Sequence, residues 1–341
     1  MLTLDKFGFK FKSFVINLER RRDRLDAFKK NAKDVQFLDI ETFNAIDGEK
    51  LESTDQLCRI FDGNDFQMRS GMVGVTLSHM LLYLQLMNRE DYKDTDAYLI
   101  FEDDIIFAND FDKKLHYLHL QMIETDWDIV YLGHHYFYQP QEMYDHKKMP
   151  EMEKWSKETS LSRSMGGIGG YFISKKGACK LMEFINEKGM TNGIDTMQQK
   201  AANDLNVYYV LPHLFFSECY RGYKMIDSDI QYNFNSLCMP LERRLMNEIE
   251  FFEGKGISLK KINEYDEVVK AISNENYSEP FYYELKNNEG IEYINKNVVH
   301  PYYYLEDKII IVVPGKISGR YFERLKKHGN FNIDDAIKYK I

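Results

Sequence analysis

The apolar positions along the 341 residues read first as a strand followed by a helix. FVINL (14–18) is a short apolar run, and ERRRDRLDAFKK behind it carries Leu25 and Phe28 three apart on one face. GVTLSHMLLYLQLMN, from Gly74, places Leu77, Leu81 and Leu84 at helical spacing. That predicts a helix whose other face carries Ser78, His79 and Tyr83 in varying exposure. AYLIF (97–101) predicts a buried strand that delivers Glu102, Asp103 and Asp104 at its carboxyl end. WDIVYLG (127–133) reads as another strand, stopped by Gly133. YFIS (171–174) reads as a strand before a helix with Ala178, Leu181, Met182 and Ile185 on one side, and NVYYVL (206–211) as one more strand before Pro212.

Strands alternating with helices predict an α/β fold with a mainly parallel sheet covered on both faces, and such sheets bind ligands beyond the carboxyl ends of their strands. The three acids stand at such an end. Past about residue 225 the pattern changes to charged helical stretches (LERRLMNEIEFFEGKG, LKKINEYDEVVKAISN), a tyrosine-rich stretch around HPYYYL and the strand-like KIIIVVPG. This divides the chain into residues 1–225, which hold the candidate chemistry, and residues 226–341, an accessory region for packing, acceptor recognition or self-association as a homodimer.

Hydrophobic residues at 44% and aromatics at 14% describe a globular protein. The net charge of -9 disfavours a nucleic-acid or anionic-membrane partner and would suit an acceptor rich in Lys or Arg. The scattered Cys58, Cys179, Cys219 and Cys238 lack paired zinc spacing and read as reduced, packed thiols. No cleavable leader and no apolar run of bilayer length is read from the sequence, so a soluble cytoplasmic protein without a transmembrane segment is expected.

Alternate side chains of a strand share a face, so Glu102 and Asp104 point one way and Asp103 the other unless the strand ends between them. Carboxylates there suit a hard divalent ion such as Mn²⁺ or Mg²⁺, or else cap a helix or pair with the arginines nearby. His213, after a strand and Pro212, would add a nitrogen ligand on a loop returning over the sheet edge. Arg20, Arg21, Arg22 and Arg24 open a helix where guanidinium and helix N–H groups can meet a diphosphate; the ordinary reading is a solvated face paired with Glu19 and Asp23. Gly166, Gly167, Gly169 and Gly170 precede the YFIS strand and would let backbone approach a sugar ring. Asp195 lies near a helix start, as an N-cap or as a carboxylate presented to an acceptor hydroxyl.

Taken in order, FVINLERRRDRL, GVTLSH, YLIFEDDIIF, DIVYLG, GGIGGYFISKKGA and NGID resemble glycosyltransferase family 25, which includes lipooligosaccharide transferases and collagen galactosyltransferases, over about residues 12–217. The resemblance implies a GT-A-like (Rossmann-like) fold, a UDP-sugar donor and a metal at the acidic strand end. Residue by residue, Asn17, Leu18 and Arg24 match the block that opens the nucleotide site, Ser78 and His79 the helix block beside it, and Glu102, Asp103 and Asp104 the acidic motif. Asp195 matches the family's later acid, although Gly193 and Ile194 stand where a Pro-Val-like pair is usual.

In the implied mechanism Asp104, helped by Glu102 or His213, holds the metal and Asp103 holds ribose. Asp195 acts as general base, with Glu218 in reserve, and Gly169 and Gly170 border the sugar or acceptor. The composition and the unmatched C-terminal third resemble a giant-virus member of the collagen-modifying branch. The expected reaction moves glucose or galactose from UDP to hydroxylysine or galactosyl-hydroxylysine of a collagen-like protein. A lipooligosaccharide or other glycan acceptor, metal-dependent phosphoryl transfer or hydrolysis on the same acids, and a non-catalytic sugar- or collagen-binding protein are the alternatives.

Overall fold

The computed structural model describes residues 8–61, 64, 68–136, 147–156, 165–217, 220–221, 224–225, 229, 237, 249–250, 252–254, 256, 258–273, 279–284, 293–294, 301–305, 309–312 and 332–340. Seven strands form the central sheet in the order β2 (Ile40–Asn44), β1 (Phe11–Asn17), β3 (Ala97–Glu102), β7 (Met165–Ser174), β5 (Ile129–Tyr136), β8 (Val207–Leu211) and β6 (Glu151–Lys154). β1 is parallel to β2 and β3, and β8 to β5; β7 is antiparallel to β3 and β5, and β6 to β8. Five strands therefore share one direction. β7 reverses it between the two parallel groups, as in a Rossmann-like glycosyltransferase fold.

The period-two pattern sorts the strand side chains between two cores. Phe14, Ile16, Tyr98, Ile100, Ile129, Tyr131, Tyr171 and Ile173 join one cluster, with helices α3 (Ser70–Met87) and α5 (Lys175–Lys188). Phe11, Val15, Leu99, Phe101, Val130, Leu132 and Phe172 join the other, with α1 (Arg22–Asn31) and α4 (Phe111–Ile123). Both faces are covered, which is why these strands read as continuous apolar runs.

α3 begins four residues earlier than its periodicity indicates and is buried almost all round: Ser78, His79 and Tyr83 are at most 1% exposed. By length and composition it could span a bilayer, contrary to the expectation that no segment could, but 67% of it is buried inside the protein. Its apolar residues are used in the core. At Gly74 a Cβ would stand 2.5 Å from the Ile46 carbonyl, so glycine lets the helix approach the loop after β2. Ser78 Oγ then accepts from Ile46 N at 2.8 Å and donates to Gly74 O at 2.7 Å.

The glycine-rich stretch is part of β7 rather than a lead-in to it. Past residue 225, four strands pair in the order 260–262, 281–284, 309–312 and 301–305 around a small core of Ile262, Val268, Phe281, Tyr283, Ile294 and Val312. Helix Tyr265–Ser273 accounts for part of one charged stretch, while most of LERRLMNEIEFFEGKG lies outside the described residues. Residues 332–340 return to the first region. There Ile333 and Ala336 enter the core beside Leu51 and Leu57, and Glu52 N donates to Lys338 O at 2.6 Å.

Not every cysteine is the reduced, packed thiol expected. Cys58, in α2 (Asp55–Ile60), is disulfide-bonded, and Cys179 is the free thiol among the described residues. Pairing depends on proximity in space, which spacing along the chain does not reveal.

Candidate functional site

β3 ends at Glu102, and the two-sided sheet sends the three acids three ways. Glu102 continues the parity of Tyr98 and Ile100 and faces α3, with Oε1 3.5 Å from His79 Nε2. Asp103 follows Phe101 to the opposite side. Its Oδ2 accepts from Asn17 Nδ2 at 2.6 Å, and Arg24 Nη2 lies 2.7 Å from Oδ1. Asp104 sits in the turn before β4 (Ile105–Phe107), where β9 (Phe215–Ser217) pairs Ser217 with Ile105. Ser217 Oγ donates to Asp104 Oδ2 at 2.7 Å, whereas Asp104 Oδ1 is buried with no hydrogen-bond partner.

The turn from β1 to α1 closes against these acids. Asn17 Nδ2 also donates to Arg21 O at 3.0 Å, and half-buried Leu18 accepts from Arg21 N at 2.8 Å. Arg24 Nη2 lies 3.6 Å from Asp104 as well. Arg20 and Arg21 meet Asp229 at 2.8 and 2.6 Å, and Arg24 lies 3.7 Å from it. Asp229 lies beyond the boundary drawn at 225, and no local signal marks it.

Asp195 lies in the first turn of α6 (Ile194–Lys200), two residues past the cap position, which Gly193 occupies. Its Oδ2 accepts from Gly167 N at 2.9 Å and its Oδ1 from Thr196 N at 2.7 Å. Asp195 is close enough to act electrostatically on Glu102 and His79. Burial, followed by the Asp104 charge, holds Glu102 well above the usual carboxylate range against the opposing pull of Arg24. Burial also raises Asp103 to about 6, opposed by Arg24 and Asn17. His79, fully buried, is lowered to about 4 and is neutral near pH 7.

Two expected groups are placed elsewhere. His213 is buried beside His134, ring centroids 4.4 Å apart. Among the described residues no group of three His, Cys, Asp or Glu side chains suited to a metal brings it together with Glu102 and Asp104. Gly169 and Gly170 border protein instead of open space: an added Cβ would stand 2.7 Å from Ile105 Cγ2 and Phe215 Cε2 at the first, and 2.8 Å from Phe101 Cδ1 at the second. With Gly133, 3.0 Å from the same ring, they make a notch for Phe215 that pins β9 and with it Ser217. Glu218 lies outside the described residues.

No three metal-ligating side chains converge as a ready cage among the described residues. The orphaned Asp104 Oδ1, with Glu102 repelled by the neighbouring acids, fits a hard ion that keeps several waters and takes only one or two carboxylates. A cage completed by His213 does not fit.

The model of glycosyltransferase family 25 (LPS biosynthesis protein) matches residues 10–197, the stretch that holds β1, α3, the acids, β7 and Asp195. The chain belongs to glycosyltransferase family 25. Among relatives of this family member, human "Procollagen galactosyltransferase 2" is 31% identical over 140 residues, 38% of this chain and 21% of the relative. "Putative glycosyltransferase R655" of Acanthamoeba polyphaga mimivirus is 27% identical over 232 residues, 66% of this chain and 68% of the relative. "Procollagen galactosyltransferase 1-B" of Xenopus laevis is 25% identical over 252 residues, 67% of this chain and 39% of the relative. The chain thus matches about a fifth of the length of the human relative.

Proposed function

We propose that this glycosyltransferase moves glucose or galactose from a UDP-sugar to hydroxylysine or galactosyl-hydroxylysine of a collagen-like acceptor. The observation that carries the reading is the pair Glu102 and Asp104 at the carboxyl end of β3, within electrostatic reach of Asp195 in the first turn of α6, with one Asp104 carboxylate oxygen buried and unpartnered. The names of the procollagen galactosyltransferase relatives support the acceptor class. The family description, which mentions LPS biosynthesis, supports a glycan acceptor as the second reading.

Asp104, with Glu102, would hold Mn²⁺ or Mg²⁺, which when bound neutralises charge on the diphosphate leaving group. Asn17 and Arg24 orient Asp103 toward the nucleotide side of the strand end. Asp195 takes the proton of the acceptor hydroxyl at one carboxylate oxygen as that hydroxyl attacks the anomeric carbon. The bond from sugar to UDP breaks as the new glycosidic bond forms.

The test is UDP release from UDP-glucose and UDP-galactose with Mn²⁺, comparing a hydroxylysine-bearing collagen peptide with a lipooligosaccharide acceptor. Asp104→Ala is expected to abolish release with either. Undiminished turnover in that variant would remove the assigned role, and stimulation by the glycan alone would select the second reading.

A further inference from the structure

A line of buried polar groups runs from β5 to the acidic strand end. Tyr131 OH donates to Gln198 Oε1 at 3.0 Å, and Gln198 Nε2 donates to Tyr83 OH at 2.7 Å. Tyr83 OH lies 2.5 Å from Tyr171 OH, and Tyr171 OH 2.7 Å from His79 Nδ1. His79 Nε2 makes no hydrogen bond, and Glu102 Oε1 faces it at 3.5 Å. The three tyrosines, Gln198 and His79 are each at most 1% exposed. They come from β5, α6, α3 and β7, so no local pattern in the sequence announces the line.

The orientation of the Gln198 amide, with Oε1 toward Tyr131 and Nε2 toward Tyr83, sets the direction of this line. An amide has one end that only donates and one that only accepts. Gln198 therefore leaves Tyr83 as an acceptor on that side, and the Tyr83 proton has Tyr171 as its recipient. Tyr171 then spends its own proton on His79 Nδ1. In the reverse order the Tyr83 hydroxyl hydrogen would be buried without an acceptor, at a cost of roughly 1–3 kcal/mol. Burial keeps all three phenols protonated, so every hydroxyl has the proton this order requires.

We propose that Gln198, Tyr83 and Tyr171 are positioning residues for the transfer: their one-way hydrogen-bond chain fixes His79 with its proton on Nε2 and aims that N–H at the Glu102 carboxylate. This rests on the reading of the β3 end as the donor site. Arg24, Asp104 and Asp195 are the other charged groups that act on Glu102, and Asp104 and Asp195 repel it. The directed N–H gives Glu102 a fixed neutral donor on the α3 side. The 3.5 Å separation closes to a hydrogen bond when the donor substrate is bound, as such contacts commonly tighten on complex formation. The chain also ties α6, which carries Asp195, to α3 and β7, so the two acids are held relative to one another.

The test uses the full chain labelled with ¹⁵N-histidine, the His79 signals being assigned by their loss in His79→Gln. The wild-type protein is expected to show a one-bond N–H coupling on Nε2 and none on Nδ1; a proton on Nδ1 overturns the proposal. Gln198→Glu keeps the shape but accepts from both Tyr131 and Tyr83. It should invert the chain, move the His79 proton to Nδ1 and lower kcat about 10- to 100-fold with little change in donor KM. Where Gln198→Glu does not fold, Tyr171→Phe serves instead, with mixed tautomers and a similar loss of kcat expected. Wild-type kcat in a folded variant with the altered tautomer overturns the positioning role. Activity surviving in Asp104→Ala would instead remove the donor-site reading, leaving the tautomer result intact.

Discussion

Arg24 Nη2 lies 2.7 Å from Asp103 Oδ1, an ion pair that ties the first turn of α1 to the end of β3. The side chains are 17% and 9% exposed, so Arg24 compensates a charge that water reaches poorly. Arg24→Ala strands that carboxylate, and breaking a buried pair from one side costs about 3–5 kcal/mol. The expected result is a destabilisation toward the lower end of that range, because the pair is not fully dry, with Asp103 titrating above its value of about 6. Urea unfolding and ¹³C carboxyl titration check the two parts.

His79 and Asp103 act oppositely on stability between pH 4 and 6.5. The folded His79 value is lowered from 6.5 to about 4, so on acidification through that window the unfolded imidazole takes a proton that the folded one refuses, and stability falls. The folded Asp103 value is raised from 3.8 to about 6, so over a similar window the folded carboxyl takes a proton that the unfolded one does not, and stability rises. Each effect is on the order of 3 kcal/mol, and together they nearly cancel. Relative to wild type, Asp103→Asn should lose stability as pH falls from 6.5 to 4, and His79→Gln should gain it. Parallel unfolding curves for all three proteins at pH 4.5 and 7 would refute this.

Phe215 fills the notch left by Gly133, Gly169 and Gly170. A Cβ on Gly169 meets both Ile105 and the Phe215 ring at 2.7 Å, and overpacking of this kind costs about 1–3 kcal/mol. Since β9 carries both Phe215 and Ser217, Gly169→Ala should also disturb the Ser217 to Asp104 hydrogen bond. The expected outcome is a folded, less stable protein with reduced transfer, read by thermal unfolding and UDP release. Pairing it with Phe215→Leu, which vacates the space, should recover part of the lost stability.

Sequence and structure agree where both sheet faces are covered. FVINL, AYLIF and DIVYLG are apolar because each strand supplies both cores, and the acids stand out because they follow the last covered position. The hidden part consists of relationships between distant segments. β2, none of whose five residues is fully buried, has no apolar run to announce it. The glycines resemble a ligand-facing loop, yet they accommodate Phe215, a residue some 45 positions later. Asp229 and Gln198 carry no motif; they matter through Arg20, Arg21 and Tyr83, which no spacing connects to them.

The returning C-terminal segment gives a separate prediction about stability. Ile333 and Ala336 are buried in the larger core, Thr54 Oγ1 donates to Ala336 O at 3.3 Å, and Lys340 N donates to Lys50 O at 2.8 Å. Deleting residues 332–341 uncovers Leu51 and Leu57, and burial of one isoleucine alone is worth about 1.5–3 kcal/mol. The shortened chain should unfold at lower urea concentration, and Ile333→Ala should reproduce much of the effect. An unchanged midpoint in both would show that the contact contributes nothing to stability.

Asp195 offers the sharpest test of the chemistry because its structural and chemical duties separate. One carboxylate oxygen accepts from Gly167 N and the other from Thr196 N. Asn in its place retains one acceptor oxygen and α6 can still form, but the amide cannot take a proton. Asp195→Asn should therefore fold, bind nucleotide as the wild type does, and lose about 10²- to 10⁴-fold in kcat, the usual contribution of a general base. Calorimetric binding of UDP alongside initial-rate kinetics decides it. A small rate loss with intact binding would make Asp195 an anchor for the β7 backbone, and the base would then have to be sought among the other acids at the strand end.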